Sequence, residues 1–261
     1  MDGWRRFENN GWRGCRTADF VPPADFDVWL AELLHTARLR YPSRVIAPCT
    51  LDNGVRTFVK VLYGLGDNIH AWKNALKWRF RTSRAMHVAA VSADMAAAGV
   101  RCAEVLLAAR RRTCGPWGWP TDLIVTREAP GAHLRRLLDS NAQDAERRAL
   151  FLRGAARAVA QLHAAGFVHG DCQPGNVFLD ENAAVCSFID NDRTAHSCRF
   201  IRRRQEMRNV VQMGFGLLYS RRVTPAEWEC FLAEYAEARP CDLSALRICA
   251  SRLLARRLQR G

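Results

Sequence analysis

The run His169-Gly170-Asp171-Cys172-Gln173-Pro174-Gly175-Asn176 sets an aspartate and an asparagine five residues apart on a Pro/Gly-rich loop. On such a loop the two are not helix-face neighbours, and they converge if the chain turns back on itself. Fourteen residues beyond Asn176 stands Asp190, next to Asn191 and Asp192. Phosphoryl transfer uses a set of this kind. One Asp accepts the proton of an acceptor hydroxyl and orients it in line, while an Asn and a second Asp hold Mg²⁺ against nucleotide phosphates. A plainer reading makes Asp171 a turn cap and Asn176 a left-handed turn residue. That reading suits Asp171 taken alone, and the ordered triplet favours the chemistry. Lys60 is a further candidate. It lies in the apolar strand Thr57-Phe58-Val59-Lys60-Val61-Leu62 of a chain whose only other lysines are Lys73 and Lys77. A compact ammonium on a flexible stem suits nucleotide phosphates, and an edge-strand lysine facing solvent is the competing view.

The elements that must place these residues follow from periodicity and breakers. A long helix is expected over 145–165, ending at Gly166, with the Asp171 loop directly after Phe167-Val168. Strands at 177–179 and 185–189 flank the turn Asp180-Glu181-Asn182, so a hairpin would carry Asp190 back toward the mouth of the loop. Upstream, 45–47 and 55–62 read as strands around the turn Leu51-Asp52-Asn53-Gly54. After a Gly64-x-Gly66 turn, helices are expected over 68–76 and 84–98, the second closing at Gly99. Strands follow at 100–109 and 121–126, joined by a turn over 114–120. Further helices are expected over 24–39, 134–138, 203–218, 225–238 and 243–258. The chain is thus β-rich in its first part and helical after Arg127-Glu128-Ala129, without repeats or low-complexity tracts.

With 261 residues, 49% of them hydrophobic and 25% charged, the chain can bury a real core and is not a disordered one. Thirty-nine Lys+Arg against 26 Asp+Glu give a net charge of +13, nearly all of it arginine. Genome base composition accounts for such a balance as well as an anionic partner does. The ten cysteines include no Cys-x-x-Cys pair, and no apolar run approaches the roughly 18–20 residues of a membrane span. The opening Met-Asp-Gly-Trp-Arg-Arg lacks a signal-peptide apolar stretch. Free thiols in a reducing cytoplasm are therefore expected. His163 and His196 lack partners at ligand spacing and receive no metal role. Arg110-Arg111-Arg112 and Arg202-Arg203-Arg204 read as solvated ends or as contacts to substrate phosphates. Tryptophans interleaved with arginines in residues 1–80 come without a nucleic-acid-binding module, so nucleic acid is not an expected partner.

From about Arg44 to Tyr235 the chain resembles the protein-kinase-like superfamily, and within it the bacterial lipopolysaccharide core (Kdo/heptose) kinases. The resemblance is carried by Phe58-Val59-Lys60 with Ala71-Trp72-Lys73-Asn74, by Ala97-Ala98-Gly99-Val100, and by Leu162-His163-x-x-Gly166-Phe167-Val168-His169-Gly170-Asp171. It continues through Phe188-Ile189-Asp190-x-Asp192-Arg193 and a basic helix leading into Arg208-Asn209. It implies an α+β, two-lobed kinase fold: a β-rich N-terminal lobe over residues 1–126 and a helical catalytic lobe over 127–261. Residues 1–43 would belong to the first lobe or form an added arm. The resemblance implies Lys60 as the phosphate-contacting lysine, Asp171 as the catalytic base, and Asn176 and Asp190 as Mg²⁺ ligands. It further implies a cofactor-binding set of Lys60, Glu128, Asn176 and Asp190, with ATP and Mg²⁺ as the cofactors.

Departures from protein kinases bear on the acceptor. Gly170 replaces an arginine, Gln173 stands where a lysine is usual, and barely a dozen residues separate Asp190 from the helix near Arg203. There is no Ala-Pro-Glu element. These features favour a sugar or another small hydroxyl over a protein. No Gly-x-Gly-x-x-Gly precedes Lys60, and residues 84–98 contain no Glu to pair with it, leaving Asp94, Glu104 or a more distant acid. The expected function is an ATP- and Mg²⁺-dependent kinase acting on a sugar hydroxyl of the lipopolysaccharide inner core, in the cytoplasm with peripheral contact at the inner membrane face. The acceptor would be an anionic glycolipid or sugar. The alternatives are a soluble phosphotransferase of the aminoglycoside or choline-kinase type and a nucleotide-binding pseudokinase.

Overall fold

The computed structural model describes residues 3–37, 39–41, 44–63, 83–112 and 119–258. The expected helix over 68–76, the Gly64-x-Gly66 turn, the Ala71–Asn74 motif and most of the turn over 114–120 lie outside them. The described elements run β1 (Arg5–Asn9), β2 (Trp12–Arg16), α1 (Phe26–Thr36), β3 (Leu39–Tyr41), β4 (Arg44–Thr50), β5 (Arg56–Tyr63), α2 (Arg84–Ala97), β6 (Val105–Arg112) and β7 (Pro120–Arg127). They continue with β8 (Ala132–His133), α3 (Leu134–Ser140), α4 (Ala145–Ala164), β9 (Phe167–Val168), β10 (Val177–Leu179), β11 (Cys186–Phe188), β12 (Ala195–His196), α5 (Arg202–Leu218), α6 (Pro225–Ala238) and α7 (Leu243–Leu258). The chain divides into two compact units, Met1–Ala93 with Ala103–Glu128, and Asp94–Cys102 with Ala129–Gly261.

The first unit is a seven-stranded sheet in the order β1-β2-β6-β7-β5-β4-β3. β1 and β2 extend one edge of it and β3 the other. Alternation along β5 sends Val59 and Val61 to one face, where Phe7, Trp12, Phe20, Phe26 and Leu30 bury with α1. The opposite face carries Leu62, Ile124 and Ala108 beneath Ala85, Val88 and Ala89 of α2. Lys60 pairs in register with Ile124, which pairs with Ala108, so the lysine belongs to the α2 face and is half-buried. Burying both faces of one sheet is what fixes its register.

The second unit is mainly helical. Asp144 accepts a hydrogen bond from Arg147 N–H at 2.9 Å and starts α4, and Thr224 and Glu227 form a reciprocal capping box at α6. Arg148 of α4 donates to both carboxylate oxygens of Glu227, at 2.7 and 3.0 Å, tying α4 to α6. Glu206 of α5 is buried between Arg202 and Arg239, each 2.9 Å away, so its charge is compensated on two sides. No helix among the described residues is long and apolar enough to cross a membrane. All described cysteines are free thiols.

Candidate active site

In the second unit, α4 ends at Ala164 and β9 leads straight into the loop that starts at His169. The loop is closed from behind by α5. Asn209, fully buried, accepts from His169 N–H at 2.8 Å and donates to His169 C=O at 2.6 Å. Its Oδ1 also lies 3.1 Å from His163 Nε2, and its Nδ2 donates to Gln212 Oε1 at 3.1 Å. Gln212 in turn accepts from Cys172 N–H at 3.3 Å. Because Asn209 Oδ1 can only accept, His163 Nε2 carries the proton and its Nδ1 accepts from Tyr235 OH at 2.8 Å.

The same logic fixes His169. Its Nδ1 accepts from Asp171 N–H at 3.1 Å, so its Nε2 donates to Ile189 C=O at 2.9 Å. Burial holds this ring neutral, its pKa below the usual value. A single imidazole thereby links the backbone of Asp171 to the residue before Asp190. The hairpin completes the arrangement. β10 and β11 pair with Val177 opposite Phe188, and Ile189 N–H donates to Asn176 C=O at 3.0 Å, so Asn176 and Asp190 leave from the same end.

Asp171 is oriented by its neighbours. Gln173 Nε2 donates to its Oδ1 at 2.7 Å, and Asn176 Nδ2 donates to its backbone C=O at 2.8 Å while lying 3.5 Å from Oδ2. Asp190 has left-handed backbone (φ 60°, ψ 49°), which costs a non-glycine residue on the order of 1 kcal/mol and persists where the surroundings dictate it. The 3-10 turn Asn191–Arg193 follows at once and packs on the loop. A β-carbon on Gly170 would lie 2.0 Å from Arg193 Cβ and 2.6 Å from Arg193 O. That contact leaves no room for a side chain at position 170. Gly170→Ala is expected to cost about 1–3 kcal/mol through overpacking, read as a lower urea midpoint at unchanged slope.

His163 makes a pH prediction. Desolvation lowers its pKa from 6.5 to about 4, so the unfolded chain binds a proton that the folded chain refuses. Stability from this group is complete above about pH 6.5 and is lost as pH falls toward 4, a total of about 3 kcal/mol. Urea unfolding at pH 7 and pH 4.5 measures the drop, and a His163→Gln variant should show a smaller one.

The donor set suits a hard cation. Asn176 directs its Nδ2 to Asp171, which makes its Oδ1 the acceptor, and Asp190 adds a carboxylate. Among the described residues no group of three or more His, Cys, Asp or Glu side chains is arranged to hold a metal. Magnesium does not require one, since it binds through one or two protein oxygens together with phosphates and water. In the first unit Lys60 lies on β5, and Glu128 ends the unit with its carboxylate 2.8 Å from Arg56 Nε. Glu128, Pro48 and Phe58 line a recess of about 420 Å³ on that sheet. Asp94 pairs with His196 at 3.2 Å and Glu104 with Arg127 at 2.6 Å. From the sequence alone Asn209 has no assigned role and Gln212 carries no signal.

The family model described as the lipopolysaccharide kinase (Kdo/WaaP) family matches residues 49–235, over two-thirds of the sequence and spanning Lys60, Glu128, Asp171, Asn176, Asp190 and Asn209. No curated protein matches the sequence. Among solved structures, WaaP in complex with acyl carrier protein aligns at a TM-score of 0.56 and 18% identity, covering 90% of this chain and 98% of that one. WbdD, co-crystallised with the kinase inhibitor LY294002, aligns at 0.48 and 17%, covering 85% of this chain and 46% of that one. The likeness to WaaP is one of fold, and the fold is the α+β kinase-like one, β-rich first and helical after.

Proposed function

As the chain belongs to the lipopolysaccharide kinase (Kdo/WaaP) family and is a kinase, we propose that it transfers the γ-phosphate of ATP, with Mg²⁺, to a sugar hydroxyl of the lipopolysaccharide inner core. The observation that carries this reading is the loop closed on Asn209, with Asp171 held by Gln173 at 2.7 Å and Asn176 alongside. In this reading Asp171 accepts the proton of the acceptor hydroxyl as its oxygen bonds to the γ-phosphorus and the bridge to ADP breaks. Gln173 orients the Asp171 carboxylate through Oδ1, and either oxygen keeps a lone pair for the proton. Asn176 and Asp190 would hold Mg²⁺, which neutralises phosphate charge when bound. Lys60 contacts the phosphates, and the recess beside Glu128 takes part of the nucleotide. The net charge of +13 suits an anionic glycolipid acceptor presented at a membrane face in the cytoplasm.

Transfer of labelled γ-phosphate to core oligosaccharides, free sugars, amino alcohols and proteins tests the reading. Label on the core oligosaccharide, lost in Asp190→Ala, is the expected result. Label confined to amino alcohols or proteins, or none at all, would overturn it.

A further inference from the structure

Between β12 and α5 the chain runs Ser197-Cys198-Arg199-Phe200-Ile201 and enters the helix on Arg202-Arg203-Arg204. Phe200 leaves 94% of its surface exposed and Ile201 48%. The segment is held in a defined shape. Ile201 N–H donates to Cys198 C=O at 3.1 Å, and Cys198 N–H donates to Gln205 Oε1 at 2.8 Å. Arg202 turns inward, donating to Glu206 and, at 2.6 Å, to His163 C=O. Arg199, Arg203 and Arg204 are exposed beside the two apolar side chains.

An ordered turn that presents a phenyl ring and a branched aliphatic chain among three guanidinium groups matches the surface of an anionic bilayer. The apolar groups enter the acyl boundary, and the cations sit among lipid phosphates. Its place in the fold adds to the match. β12 pairs with β9, Ala195 opposite Val168 and His196 opposite Phe167, and β9 runs directly into His169-Gly170-Asp171. One short ladder therefore anchors both the exposed turn and the loop that holds Asp171.

We propose that residues 199–204 form a wedge that seats this chain on anionic phospholipid. The proposal rests on the kinase reading for its purpose, a lipid-anchored acceptor, but its test does not. The full chain is floated with vesicles of phosphatidylglycerol and phosphatidylethanolamine, or of phosphatidylcholine, without nucleotide or acceptor. Wild type should bind the anionic vesicles, and Phe200→Ser/Ile201→Ser should bind them at least about tenfold more weakly with an unchanged melting temperature. Arg199→Gln/Arg203→Gln/Arg204→Gln should weaken binding and flatten its salt dependence. Equal binding by the serine variant overturns the proposal. So does equal binding of wild type to phosphatidylcholine, or wild type that ignores both vesicles and binds a soluble acidic protein through these residues. A chain that binds vesicles through the wedge yet transfers no phosphate supports the wedge and refutes the kinase reading.

Discussion

Asp171→Asn is expected to lower kcat by about 10²–10⁴-fold while the Kd for nucleotide stays within about twofold. Asparagine keeps the contacts that shape the loop, apart from the 3.5 Å approach of Asn176 Nδ2 to Oδ2. The backbone N–H at 171 still reaches His169 Nδ1, the backbone C=O still accepts from Asn176, and a side-chain oxygen remains for Gln173. What disappears is the ability to take a proton from the acceptor. The loss should therefore fall on turnover, in single-turnover kinetics as much as in the steady state. Unchanged turnover would remove Asp171 from the mechanism.

Asn209→Ala is expected to be the most damaging change away from the reacting groups. The side chain satisfies both the N–H and the C=O of His169, at 2.8 and 2.6 Å, as well as His163 Nε2. Alanine leaves these three buried groups without that partner. At about 1–3 kcal/mol for each group left unsatisfied, the cost is several kcal/mol, a large part of the stability of a typical domain. Equilibrium unfolding in urea measures it. The surviving folded protein should also turn over more slowly, because the backbone that aims Asp171 is no longer held. A loss below about 1 kcal/mol would show that water replaces the amide and that the closure from α5 is not structural.

The contrast between Asp171 and Asn209 explains how far the sequence could be read. Asp171, Asn176 and Asp190 stand out as an ordered triplet on a Pro/Gly loop and at a strand exit, although a turn-cap reading covers Asp171 taken alone. Asn209 follows Arg208 on a basic helix and is given no role from the sequence, yet it is fully buried. A signal was present. Glu206, Asn209, Val210, Met213, Gly214 and Leu217 form the buried stripe of α5 at helical spacing, so the asparagine falls on an otherwise largely apolar face.

The first hairpin is hard to read from the sequence for a different reason. β1 and β2 are Arg-rich and alternate weakly, but Asn10 and Gly11 both have positive φ, 42° and 81°, the two-residue turn that joins twisted strands. The helices over 225–238 and 243–258 match their expected bounds, since Thr224-Pro225 and Asp242 mark their starts. β8, β9 and β12 are two residues long, too short to leave a periodic trace.

A crystal structure of the full chain with Mg²⁺ and a non-hydrolysable ATP analogue tests the central claim most directly. The expected electron density has an ion about 2.0–2.1 Å from Asn176 Oδ1 and from an Asp190 carboxylate oxygen, with the Asp171 carboxylate facing the γ-phosphate. An ion ligated by other side chains, or a nucleotide whose phosphates lie away from Asp171 and Asp190, would contradict it.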